Sequence, residues 1–254
     1  MSVYTEIFGQ GRPLVMIHGW AMHGGVWRAF ARQLAESRQV ICVDLPGHGR
    51  SAAIAPYSLQ HVAQAVLDAL PVAEFDVLGW SLGATVALEM ARLSPQRIRS
   101  LCMLSANPCF VRQDSWPGMP AELLAVFMAQ LQTKPAQTLS RFLALQVNES
   151  AEAKAVLQQL KTVMRECLTP EPEVLQAGLR MLADSDLRPT LTRLSCPLHL
   201  ILGDRDSLIP LAAGQAMLAL NSGMYLHVIE TAGHVPFLSH QQLLLNILLA
   251  ALSA

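Results

Sequence analysis

Six short runs constrain this chain more than any other feature: PLVMIH (13–18), QVICVD (39–44), FDVLG (75–79), SLCMLSA (100–106), PLHLILG (197–203) and YLHVIE (225–230). Each is apolar nearly throughout rather than at alternate positions. A strand of that kind has to be covered on both faces, which is the condition of a parallel sheet sandwiched between helices. Helical patterns at 26–36, 58–70, 82–93, 211–220 and 241–252 fall between and after the runs and supply the covers. The expectation is a mostly parallel, doubly wound α/β fold. With 254 residues, 52% hydrophobic and 15% charged, the composition suits one large core.

From about Asn107 to Asp186 the alternation stops, and helical patterns follow one another near 120–131, 135–147, 151–166 and 171–184. An all-helical block placed between two strands of a parallel sheet leaves and re-enters at one strand end. Ligand crevices open at the carboxyl ends of such strands. Residues 1–107 and 187–254 are therefore expected to form the core, and 108–186 an inserted lid. An inert helical elaboration would give the same pattern.

Charge narrows the partners. Eighteen basic side chains against nineteen acidic ones leave no overall positive field for nucleic acid or an anionic membrane. The first residues, MSVYTEIFGQG, have neither the basic start nor the apolar stretch of an export signal, so the expected location is cytoplasmic. LLLNILLAAL, the longest late apolar run, is far short of the ~18 residues that would suggest a membrane span. The five cysteines, Cys42, Cys102, Cys109, Cys167 and Cys196, form no CxxC pair and read as thiols in a reducing compartment. Nothing calls for a metal or cofactor, and monomer is the default.

The chemistry centres on LGWSLGATVALEMA (78–91), where a strand-like run turns into a helix-like one around Ser81. A hydroxyl can attack a carbonyl only if it projects clear of the backbone, which a very tight strand-to-helix turn achieves at the cost of strain. Gly79 and Gly83 relieve the crowding, and the helix beginning at Leu82 aims free N–H groups at developing negative charge. A plain glycine-rich turn would show the same five residues, so the strand before and the helix after carry the argument.

A serine nucleophile needs a base, and the base an orienting acid. Of eight histidines, His234 lies in a glycine-containing loop after the last strand. From there an imidazole can reach over the carboxyl edge. His199 and His227 fall within strands, His61 within a helix, and His240 opens the terminal helix; packing, capping or surface roles are the default for these. For the acid, LILGDRDSLIP offers Asp204 and Asp206. Asp206 has the longer loop in which to swing under a histidine, while Asp204 suits the turn. After CMLSAN, another position where an acid could stand, Ser105, Ala106 and Asn107 cannot ionise. The oxyanion hole would combine the N–H of Leu82 with that of Trp20, which follows a sharp turn at His18 and Gly19. HGW could equally be a loop with an aromatic plug.

Taken together, HGW, DLPGHGRS (Asp44 to Ser51), GWSLGA, GDRDSLIP and AGHVPF resemble the α/β-hydrolase superfamily over the whole chain. Within it, the tryptophan of LGWSLG, NPCF with WPGMP after it, and RFLALQ (Arg141 to Gln146) resemble the pimeloyl-[acyl-carrier protein] methyl ester esterase family. That resemblance implies a serine carboxylesterase that frees the ω-carboxylate of pimeloyl on acyl-carrier protein and releases methanol. Ser81 would be the nucleophile, His234 the base, Asp206 the acid, and Trp20 and Leu82 the oxyanion donors. Trp20, Leu82 and Phe142 would contact substrate, and Trp80 would flank the nucleophile. Two positions depart from the pattern. Ala84 stands where a third glycine often follows the elbow, and Lys154 where an arginine of the carrier-binding set is expected, without arginine's bidentate fork.

The charge pattern of the insertion can be read without that comparison. Between 134 and 165, Lys134, Arg141, Lys154, Lys161 and Arg165 outnumber Glu149 and Glu152. At ~100° per residue, Lys154, Lys161 and Arg165 share one helix meridian, and Lys134 to Arg141 repeats the seven-residue step. This face is either simply solvated or a dock for an acidic partner. Leu157, Leu160 and Met164 would pack inward. Phe127, Leu131, Leu139, Phe142, Leu143 and Met181 recur at helical spacing, mostly as core, with one or two touching substrate. Rival readings keep the fold: a broad short-chain carboxylesterase, a C–C hydrolase, a lyase of menaquinone synthesis, or a ligand sensor. A carboxylate would have to replace Ser81 for a dehalogenase or epoxide hydrolase.

Overall fold

The computed structural model describes residues 3–147 and 153–253; Glu149 and Glu152, part of the charge reading above, lie outside them. Among the described residues, one seven-stranded sheet runs in the order β1-β3-β2-β4-β5-β6-β7. Its strands are β1 (Thr5–Phe8), β2 (Pro13–Ile17), β3 (Gln39–Val43), β4 (Phe75–Trp80), β5 (Ile98–Leu104), β6 (Leu198–Gly203) and β7 (Tyr225–Ile229). All neighbours are parallel except β1, which pairs antiparallel with β3 from Thr5 opposite Val43 to Phe8 opposite Val40.

The helices are α1 (Arg28–Leu34), α2 (Leu59–Ala69), α3 (Leu82–Leu93), α4 (Ala121–Thr133), α5 (Pro135–Leu145), α6 (Ala153–Met164), α7 (Pro172–Asp184), α8 (Arg188–Thr192), α9 (Leu211–Leu220), α10 (Pro236–Ser239) and α11 (Gln241–Ala251). Because side chains alternate across a strand, β4 sends Val77 to one face and Leu78 and Trp80 to the other. The first face packs with Val66 of α2, Val86 of α3 and Met217 of α9. The second packs with Phe30 and Leu34 of α1 and with Leu244 and Leu248 of α11. β2, β3, β4 and β6 are buried along nearly their whole length, as continuous apolar runs require.

Two strands differ from expectation. β7 is half exposed, because it is the edge and has a neighbour on one side only. The strand histidines do pack: His199 Nδ1 of β6 and His227 Nε2 of β7 lie 3.2 Å apart, with His199 stacked on Tyr225. β1 escaped the reading because TEIF is a four-residue edge strand with only intermediate burial. Between β5 and β6 the chain builds α4 to α8, with α4 touching α5 and α7, and α5 touching α6. No helix of the described residues is long and apolar enough to cross a membrane.

Candidate active site

Ser81 stands between β4 and α3 with φ 55° and ψ −120°, a backbone conformation that disfavours any side chain and costs about 1–3 kcal/mol. The two glycines explain how so tight an elbow is tolerated. A Cβ on Gly79 would come within 2.4 Å of the Ala84 Cα, and one on Gly83 within 2.3 Å of the Ile17 carbonyl oxygen. Gly79 thus lets β4 approach α3, whereas Gly83 lets α3 approach the end of β2, where the HGW loop begins. Ala84 itself is fully buried, so its methyl is accommodated.

The loops after β6 and β7 are joined by their backbones. Asp204 N–H donates to Ile229 and Arg205 N–H to Ala232, and a Cβ on Gly203 would meet the Ala232 carbonyl oxygen at 2.3 Å. This brings Asp206 beneath His234: Nδ1–H of the imidazole donates to Asp206 Oδ2 at 2.7 Å, with both side chains buried. The other carboxylate oxygen accepts the N–H groups of Leu208 (2.8 Å) and Ile209 (3.1 Å), so the acid cannot turn away. Asp204 is exposed. His234 is fixed on both sides of its backbone, its N–H by the Gln146 carbonyl (3.0 Å) and its carbonyl by Trp80 Nε1–H (2.9 Å). Since Nδ1 holds the proton toward Asp206, Nε2 carries a lone pair; it is buried and has no hydrogen-bond partner.

The loop bearing Trp20 is held by two buried side chains. His18 Nδ1–H donates to the Gly19 carbonyl (2.8 Å), and its Nε2 accepts the Leu45 N–H (2.9 Å). Asp44 accepts the N–H groups of Gly24 (2.6 Å) and Arg50 (2.8 Å). Burial above all, then the nearby His48 and His23, hold the His18 pKa well below its usual value, although the bond to the Gly19 carbonyl acts the other way. Among the described residues, no backbone carbonyl outside the helices and strands accepts the Trp20 N–H or the Leu82 N–H.

Ser81 opens onto a cavity of about 340 Å³ lined mainly by apolar groups, among them Trp20, Phe127, Phe142, Leu179 and Leu208. The indole of Trp20 meets Phe142 edge-on at 4.9 Å and Phe127 at 5.7 Å, while its Nε1–H donates to the Leu175 carbonyl of α7 at 2.9 Å. The core thus supplies Ser81 and the insertion most of the wall.

The sequence matches the model of the alpha/beta hydrolase fold family over residues 12–241. Relatives named pimeloyl-[acyl-carrier protein] methyl ester esterase include those of Methylococcus capsulatus, 42% identical over 94% of each chain, and Aeromonas hydrophila, 41% identical over 98% of each. The chain belongs to the pimeloyl-[acyl-carrier protein] methyl ester esterase family of α/β-hydrolases. Among solved structures, an esterase from Exiguobacterium antarcticum superposes with a TM-score of 0.90 at 23% identity, covering 99% of this chain and 96% of that one; it supports the fold alone.

In this α/β-hydrolase Ser81, Trp20 and Phe142 line one cavity and Asp206 and His234 form a buried pair, but other expected site residues lie elsewhere. Trp80 does not line the cavity. Its side chain points to the opposite face of the sheet, packs on Phe237 at 4.9 Å and supports His234 from below. The Leu82 side chain is buried close to Gly178 of α7, so its backbone N–H is the part available to a substrate. The four basic residues do not line one cavity. Arg141 lines the cavity mouth and donates to Gln130 Oε1 at 3.3 Å. Lys161 and Arg165 line a separate groove with Leu139, Leu143 and Met164, and exposed Lys154 lies outside it. Lys134 joins α4 to α5 as a cap. Leu160 is buried as expected, with Leu157 and Met164 partly so, and Val156 joins them.

Of the six apolar insertion residues, Phe127 and Phe142 reach the cavity, while Leu131, Leu139, Leu143 and Met181 are core. Sequence reasoning missed Asp44 as the anchor of the Trp20 loop, and the cavity wall of Phe110, Met119, Leu179 and Leu182. The buried-polar pattern of DLPGHGRS could have signalled Asp44. No pattern in one sequence separates wall leucines from core leucines.

Proposed function

We propose that this chain is a serine carboxylesterase that hydrolyses the methyl ester of pimeloyl-[acyl-carrier protein], as the names of its relatives indicate for those proteins. Ser81 Oγ attacks the ester carbonyl while His234 Nε2 takes its proton; Asp206 holds the imidazole in the tautomer that makes this possible. The N–H groups of Trp20 and Leu82 stabilise the tetrahedral oxyanion. His234 then protonates the departing methanol, leaving an acyl-enzyme on Ser81. Water attacks this intermediate with His234 again as base, and the free ω-carboxylate leaves.

The observation that carries the reading is the buried Asp206–His234 pair at 2.7 Å, its outer nitrogen unpartnered, together with an elbow serine that opens onto an apolar cavity. An apolar cavity suits a methylene chain better than a polar acyl group. Residues 108–186 act as the lid and 1–107 with 187–254 as the core. The carrier protein approaches the mouth, where exposed Leu123, Val126 and Leu145 surround Arg141. Lys154, Lys161 and Arg165 add positive charge nearby on the insertion. The enzyme is taken to be a cytoplasmic monomer that needs no cofactor.

A second reading, a broad short-chain carboxylesterase, is favoured by the mainly apolar cavity wall. Comparing kcat/KM for the carrier-bound methyl ester and for p-nitrophenyl esters at varied salt separates the two. The first reading expects a large preference for the carrier-bound ester that falls as salt screens the basic residues. Equal, salt-independent rates favour the second.

A further inference from the structure

The carboxyl end of α5 touches both loops of the proton relay. The Leu145 carbonyl accepts the Ser207 hydroxyl at 2.8 Å, and the next carbonyl, that of Gln146, accepts the His234 N–H at 3.0 Å. The last carbonyls of a helix have no partner within it, so this end is free to hold other segments. Ser207 directly follows Asp206. The same helix carries Arg141, Phe142 and Leu145 in the cavity wall. One rigid element therefore connects the acyl chain to the acid loop and to the base loop.

The two ties are unlike. The Gln146 tie is buried with its side chain, whose amide has no hydrogen-bond partner, whereas Ser207 is exposed and itself stands in the cavity wall. A buried backbone tie holds permanently; an exposed hydroxyl can release and re-form as the helix shifts. We propose that Ser207 is a positioning residue: its bond to α5 sets the Asp206 loop against His234, so that an acyl chain filling the cavity tightens the relay. This rests on the serine-esterase reading. If water replaced the hydroxyl without consequence, Ser207 would be dispensable.

The test compares Ser207→Ala and Ser207→Thr with wild type on p-nitrophenyl octanoate, which reaches α5, and on p-nitrophenyl acetate, which does not. Loss of one net hydrogen bond predicts that Ser207→Ala lowers kcat on the octanoate about three- to tenfold. KM should stay within about twofold, acetate turnover should fall less, and Ser207→Thr should restore the octanoate rate. An unchanged kcat, a loss confined to KM, or an equal loss on both esters would overturn the proposal. Turnover that survives Ser81→Ala would mark a different failure, that of the esterase reading itself, and would remove the proposal with it.

Discussion

At the amino end of β4, Asp76 is fully buried and saturated: Arg38 Nη1 donates at 2.6 Å, Ser100 Oγ at 3.1 Å, and Arg12 Nε lies 3.3 Å away. Arg38 also reaches the Leu252 carbonyl, tying the last helix to the sheet. Past the carboxyl end of the same strand, Ser81 is held in a strained conformation. Among the described residues, His48 Nε2, Ser105 Oγ and His234 Nε2 are buried and unpaired, in the segments that follow β3, β5 and β7. A saturated charge network stabilises when intact and has no capacity left for a substrate. Unpaired donors, acceptors and strain cost stability, and they mark the places where a reacting group can be received.

The largest effect expected from this contrast is on catalysis. Ser81→Ala and Asp206→Asn should each lower kcat/KM by about 10⁴-fold or more, with little change in melting temperature. A variant that lost fold and activity together would erase the distinction between the two ends. The converse variant is Asp76→Ala, which strands Arg38 in the core and should cost about 3–5 kcal/mol of stability, read by urea melts. Its kcat per folded molecule should stay near wild type; a catalytic defect in the folded fraction would mean that the amino end also serves the chemistry.

A third test uses pH. Burial pushes His48 down to about 4 from its ordinary 6.5, although its Nδ1–H bond to the Pro46 carbonyl acts the other way. Above about 6.5 the ring is neutral whether the chain is folded or not, and its contribution to stability is fully present. As pH falls from there toward 4, the unfolded chain takes a proton that the native site refuses, so stability is lost across that window. His18 acts in the same direction. His48→Gln should make the acid fall in melting temperature shallower, and an unchanged slope would show that His48 does not titrate on unfolding. The smallest effect is expected at Ser105, whose φ is 48° and whose buried hydroxyl is unpaired. Ser105→Gly removes both costs and should gain about 1 kcal/mol in urea melts.

The amino acid sequence revealed one of these ends far better than the other. Ser81, His234 and Asp206 could be found because glycines, loop positions and chain order leave a local trace. The continuous apolar runs announced the sheet for the same reason. Asp76 left none: FDVLG reads as an ordinary strand, and its saturation depends on Arg12, Arg38 and Ser100, brought together only by the fold. The wall of the cavity was half legible, since Phe127 and Phe142 share their helical spacing with Leu131 and Leu139, which face the core. Trp80 was misplaced because strand alternation sends it away from the side on which Ser81 opens. The ties from α5 use backbone carbonyls, which every residue possesses, so no residue type could have pointed to them.

The central claim is that Ser81, activated by His234, forms the covalent intermediate. Labelling with a fluorophosphonate, followed by intact-protein and peptide mass spectrometry over time, tests it most directly. The account predicts a single adduct on Ser81, absent from Ser81→Ala and formed at least about a thousandfold more slowly in His234→Gln. Adduct formation on another residue, or an equal labelling rate in His234→Gln, would contradict it.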